Sequence, residues 1–232
     1  MTYSRFFVLG ITTAMVACSS SSSFEPNYTP TPVFTNPTNI TNPFLPFSGM
    51  QRDVLTGTEG GKASRVVRTN TGTTKAFTFN GQPLLALIMI DSAFANDTLV
   101  EVATDYFAQS DAGDVYYFGE DVNNYAPNGT IANHEGSWLF GVNTTVPGLF
   151  ISATPSVGQK FRSEDVPGIT REEDEIISIS DTVTVGTGHY SNCVKIKEIL
   201  SDGGTEYKLY ASGVGIVKEI SEDGAITLQT HN

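Results

Sequence analysis

Apolar and polar positions alternate with a period of two along most of the chain from Asn42 onward. The pattern is plainest in Thr182-Val183-Thr184-Val185 and in Val194-Lys195-Ile196-Lys197-Glu198-Ile199. The second run places Val194, Ile196 and Glu198 on one face of a strand. Further strands are predicted over 49–56, 63–69, 73–79, 84–91, 98–109, 114–120, 137–142, 173–180, 204–211, 214–220 and 225–230. Between them stand Asn80-Gly81, Asp111-Ala112-Gly113, Asp202-Gly203-Gly204 and Asp223-Gly224, where glycine supplies the positive φ of tight hairpins. No long stretch repeats every 3.6 residues, so helix is a minor component. The spacing predicts one all-β domain over 42–232, an antiparallel meander forming a curved sheet or partly closed barrel, with a two-sheet β-sandwich as the alternative.

One region interrupts the meander. Between Asn123 and Gln159 the chain carries Pro127, Pro147 and Pro155 among many Gly, Asn and Thr residues. Long loops are expected there, around the short strand Ser137 to Val142 that holds the sole tryptophan, Trp138. Loops of this length inside a compact domain are often functional. Gly136 and Gly141 allow close backbone approach, so Trp138 is expected to be buried near any ligand cavity. The glycine-rich run Gly213-Val214-Gly215-Ile216-Val217 is read as a turn entering a strand, since no helix pattern follows to present amides to a phosphate.

Upstream of residue 42 the pattern changes. An apolar stretch, Phe6 to Ala17, follows Arg5 and ends in Val16-Ala17-Cys18. A helix crossing ~30 Å of hydrocarbon needs ~20 residues, so this run is too short to span a bilayer and reads as a removable signal over 1–17. Its end resembles a lipobox, with Met15 where leucine is commonest, and the resemblance implies acyl chains on Cys18. Serines 19 to 23 and the Pro/Thr/Asn-rich stretch that follows bury little apolar area, so 18–41 is expected to be a disordered tether. In Gram-negative lipoproteins an aspartate right after the acylated cysteine tends to retain the protein at the inner membrane, and its absence implies the outer membrane. Ser19 and Ser20 imply that destination by analogy.

Charge removes several partners. The chain carries 13 Lys and Arg against 25 Asp and Glu, a formal charge of −12, and loss of the signal removes Arg5 and no acid. Nucleic acid is an improbable partner, because its binding relies on Lys and Arg neutralising phosphates. Acylation of Cys18 would leave Cys193 as the only other thiol, excluding an internal disulfide, and its alternating surroundings predict a buried structural cysteine.

Catalytic constellations are scarce. No G-x-S-x-G elbow, H-E-x-x-H pair, Walker loop or dinucleotide fingerprint occurs. The three histidines, His134, His189 and His231, are scattered, and no metal or cofactor is implied. His189 and Cys193 lie four apart, which in a strand is ~13 Å, too far for proton transfer. Asp111, Asp114, Glu120 and Asp121 bracket a predicted hairpin without a full calcium-loop signature. Glu172 to Glu175 read as a solubilising charge run. Tyr106, Tyr116 and Phe118 could form an aromatic patch on one sheet face, as ligand-binding sheets use, although aromatics at strand spacing are more often core.

The run Asn42 to Pro46, then DYFAQSDAGDVYYFGEDV (105–122), GSWLFGV (136–142), VGQKFRSE (157–164), VTVGTGHYSNC (183–193) and EYKLYASGVGIVKE (206–219), resembles a group of secreted or lipid-anchored bacterial β-rich domains. That group has no assigned activity, so the resemblance implies kinship and no site. Two functions follow as expectations. One is an envelope lipoprotein, held to the membrane through Cys18, that binds a small apolar or glycan ligand or a partner protein, with Trp138, Tyr106, Tyr116 and Phe118 as candidate contacts. The other is an extracytoplasmic hydrolase using carboxylates on the 123–159 loops, which needs paired acids about 5 to 9 Å apart.

Overall fold

The computed structural model describes residues 24–27 and 31–232, so Cys18 and the signal lie outside the described residues. Fourteen strands follow one another: β1 (Arg52–Glu59), β2 (Lys62–Phe79), β3 (Gln82–Ala95), β4 (Thr98–Gln109), β5 (Val115–Tyr125), β6 (Ile131–Asn133), β7 (Trp138–Leu139), β8 (Gly148–Ile151), β9 (Lys160–Val166), β10 (Thr170–Val185), β11 (Gly188–Ile199), β12 (Thr205–Ala211), β13 (Gly215–Ser221) and β14 (Gly224–His231). All belong to one antiparallel sheet in the order β6-β5-β4-β3-β2-β1-β14-β13-β12-β11-β10-β9, with β7 and β8 also pairing with β5. The all-β meander expected from the alternation is what forms, as one curved sheet rather than two.

Nearly every connection joins spatial neighbours, which is why local alternation and turn chemistry specify most of the topology. Asn80 and Gly81 both take positive φ, 51° and 75°, as the two-residue hairpin between β2 and β3 requires. The first and last strands pair with each other in the middle of the sheet, Thr58 opposite Ala225 and Leu55 opposite Leu228. Two long hairpins, β2–β3 and β10–β11, contain irregularities at Asn70/Thr74 and between Ile176 and Val183. These bulges explain why the alternation splits β2 into 63–69 and 73–79, and β10 into 173–180 and 182–185.

The sheet curls so that its two halves, β1 to β5 and β9 to β14, face each other across an interior. Residues from β2, β3 and β4 and from β12 and β13 line the same internal cavity. The wall is drawn in by β8, which pairs with β5 and also runs hard against β9. A Cβ on Gly148 would stand 1.7 Å from the Ser163 carbonyl oxygen, so only glycine permits this approach.

Three features depart from expectation. The segment 160–166, left without a strand by the alternation, is β9. The 123–159 region is more regular than a set of loops: β5 runs on to Tyr125, and β6, β7 and β8 follow. The packed domain also starts before residue 42, because Ile40 is fully buried and Phe34 packs into the core. Farther upstream, Asn27 donates its backbone N–H to Lys160 O at 3.0 Å and accepts from Lys160 N at 2.6 Å, while Arg162 donates to Phe24 O at 3.1 Å. Much of the expected tether is therefore attached to the sheet.

Candidate interior site

Strand alternation puts one side chain in two toward the interior, and in this chain many of those positions are charged. On β2 and β3 the inward residues include Arg68 and Asp91, which are cross-strand partners. Arg68 grips Asp91 through Nε and Nη2 at 2.8 to 3.1 Å. On β4, Asp105 accepts a 2.5 Å hydrogen bond from the Tyr117 hydroxyl. On the opposite half, Lys208 of β12 stands across from Glu219 of β13, and its Nζ lies 2.5 Å from Glu198 Oε2. The halves meet where Arg68 Nη2 comes within 3.7 Å of Glu219 Oε1.

Behind Lys208 lies a second group. Carboxylate oxygens of Glu172, Asp174 and Glu198 all fall within 4.8 Å of one another, and all three residues are buried. Asp174 accepts from Ser163 N at 2.8 Å, and Glu172 from Ser163 Oγ at 2.8 Å. Burial, then the neighbouring Glu198 and Glu172 carboxylates, pushes the Asp174 carboxyl well above the usual range. Glu206 is pushed up to about 8, first by burial, with Lys208 pulling it down and Glu198, Glu219 and Glu172 pushing it further up. Burial opposes the charge on Arg68, but Asp91 and Glu219 more than compensate and hold it protonated. Like carboxylates crowded away from water behave in this way because the charged form loses hydration and gains repulsion.

The cavity between the halves measures about 50 Å³. A water molecule occupies roughly 30 Å³ of liquid, and small-molecule sites typically run to about 300–1,000 Å³. In this conformation the interior has room for an ion or water and excludes a sugar or a lipid chain.

The residues singled out from the sequence fall on two sides of the sheet. Tyr106, Tyr116 and Phe118 share the face turned away from the cavity, with Phe34, Phe77, Phe79 and Phe140 around them at centroid distances of 5.1 to 6.2 Å. They form a closed aromatic core, and the Tyr106 hydroxyl donates to Asp121 at 2.5 Å. Trp138 lies on the other face, edge-on to Tyr117 at 5.3 Å, and its Nε1 donates to Glu164 at 3.3 Å. It is 1% exposed and is not among the residues lining the cavity.

The acidic hairpin serves as structural ties. Asp111 accepts from Thr35 N and Oγ1, each at 2.7 Å, and Asp114 accepts from Ala153 N at 2.8 Å. His189 Nδ1 engages Thr184 Oγ1 at 2.9 Å, and Cys193 is fully buried. Of the 123–159 segment, only Glu135 is an acid, and it is exposed, so the carboxyl pair required of a hydrolase is not on those loops. The expected solubilising run is also corrected: Glu172 and Asp174 point inward. The usable signal was their phase, two and four residues before the apolar Ile176 on one strand.

No family model matches the chain, and no curated protein does. Two crystal structures show a distant likeness. One, from Bacteroides fragilis NCTC 9343, is described as an exported protein with a YmcC-like fold; it is 12% identical, spans 79% of this chain and 96% of its own, and gives a TM-score of 0.44. The other, from Parabacteroides distasonis ATCC 8503, is described as a lipoprotein; it is 14% identical, spans 79% and 95%, and gives 0.35. Similarity at this level carries neither activity nor ligand across to this chain.

Proposed function

We propose that this chain is a lipid-anchored protein of the bacterial cell envelope, held by acyl chains on Cys18, with its β domain serving as a binding or structural scaffold rather than a hydrolase. The observation that carries this reading is the apolar run ending in Val16-Ala17-Cys18. Buried acyl carbons contribute roughly 0.8 kcal/mol per CH₂, so two or three chains hold durably where one is marginal. Ser19 and Ser20 favour the outer membrane.

The docking of Phe24 to Asn27 on β9 adds a geometric consequence. Phe24 is six residue steps from Cys18, a reach of about 20 Å when fully extended. The outer surface of β9 and β10 therefore stays close to the bilayer. Mass spectrometry of the N-terminal peptide from native membranes tests the reading: an acylated Cys18 and release of Cys18→Ala from the membrane fraction are expected. An unmodified Cys18 peptide overturns it.

A further inference from the structure

Five acids, Asp91, Glu101, Asp105, Glu206 and Glu219, line the interior cavity against two bases, Arg68 and Lys208. Burying an unpaired charge costs several kcal/mol, so each such group must find a partner, take a proton or bind a cation. The two bases are already engaged, Arg68 by Asp91 and Lys208 by Glu198. Asp105 has the Tyr117 hydroxyl.

Glu206 and Glu219 differ from the others. Glu206 is 7% exposed, lines the cavity, and makes no hydrogen bond or ion pair at contact distance among the described residues. Glu219 is 8% exposed, and its Oε1 accepts no hydrogen bond, the nearest cation being Arg68 at 3.7 Å. Lys208 lies two residues from Glu206 on β12 and directly across from Glu219 on β13. Two carboxylates with unused lone pairs thus border the same 50 Å³ space.

We propose that Glu206 and Glu219 bind one hard divalent cation, calcium or magnesium, seated with a water molecule in the interior cavity between the two halves of the sheet. The charged and polar side chains that line it are carboxylates, a guanidinium and an ammonium, without histidine or cysteine. Oxygen-only donors select hard cations over zinc or copper. The volume accommodates an ion and a water and little else. Arg68 and Lys208 oppose a second positive charge, so binding belongs at the weak end of the range, roughly the millimolar affinity of extracellular calcium modules.

Calorimetric titration of the full-length acylated protein in detergent, after EDTA treatment, tests this with calcium and magnesium chlorides as probes. One equivalent should bind. The melting temperature should rise with cation concentration, and the stronger of the two salts identifies the ion. Glu206→Gln mimics the protonated side chain, so it should fold in EDTA as the native chain does while losing the cation-dependent rise. Glu219→Asp, which shortens the reach and keeps the charge beside Arg68, should weaken it. Absence of heat and of any melting shift up to about 10 mM of either salt, well above the expected range, overturns the proposal. So does a shift that Glu206→Gln leaves intact.

Discussion

Glu206 carries the clearest consequence at the level of single residues. Its folded carboxyl titrates at about 8 against an ordinary value of 4.5. Between those values the native state binds a proton that the unfolded state has released. The associated stability is complete below about pH 4.5 and is lost as the pH rises through 8, with a slope of up to about 1.4 kcal/mol per pH unit for one proton. Asp174 acts in the same direction. Urea unfolding in EDTA at about pH 6 and about pH 8 should show the native chain weakening over that interval. Glu206→Gln should weaken less, because the glutamine never ionises. Equal pH slopes in the two proteins would mean that the Glu206 carboxyl is ionised throughout.

The strands show how much of this arrangement was legible beforehand. Alternation in 194–199 located the inward face of β11, Glu198 included, because a half-buried strand must alternate to satisfy both of its environments. Asn80-Gly81 gave its hairpin for an equally local reason. The charged interior was harder to see: an acid in phase with Ile176 looks the same in sequence as an acid facing water, and only the curling of the sheet decides which it meets. β9 was missed for a related reason. Phe161, Ser163, Glu164 and Val166 are buried, but the irregularity opposite Glu172 and Asp174 shifts the phase midway, and the polar residues among them hide what remains.

Gly148 and Gly49 make a matched test of that curling. A Cβ at Gly148 meets the Ser163 carbonyl at 1.7 Å, whereas one at Gly49 meets nothing within 4 Å. Gly148→Ala should cost about 1–3 kcal/mol or more, since rigid backbone on both sides must move apart. Gly49→Ala should be close to neutral. Chemical denaturation of the two variants checks this, and equal midpoints would mean that β8 can leave β9 freely.

For the whole molecule, both faces of the curled sheet are covered. The β8–β9 approach closes one side of the curl. The N-terminal segment covers the outside, where Phe34 plugs the aromatic face and Phe24 lies over Lys160 and Arg162 at 5.8 and 5.4 Å. Anchoring and folding thus lie close together in the chain: Phe24 and Asn27, only six and nine positions on from the proposed lipid attachment, are fastened to β9.

The pairing of β1 with β14 also bears on timing. β1 is the earliest strand of the sheet to be synthesised and β14 the latest, yet they form its central ladder. Every other ladder on the main path of the sheet can zip from a nearby turn, but this one must wait until both ends of the domain exist, and contacts so distant in sequence make for slow folding. Removing Gly224–His231 should leave two half-sheets with an exposed seam, seen as loss of a single cooperative urea transition; a preserved single transition would mean that the halves stay coupled without β14. If the proposed signal exports this chain, such a delay has a use. While it is still threading through a translocation channel it lacks the strand that would let it lock, and it arrives on the far side uncommitted to a shape.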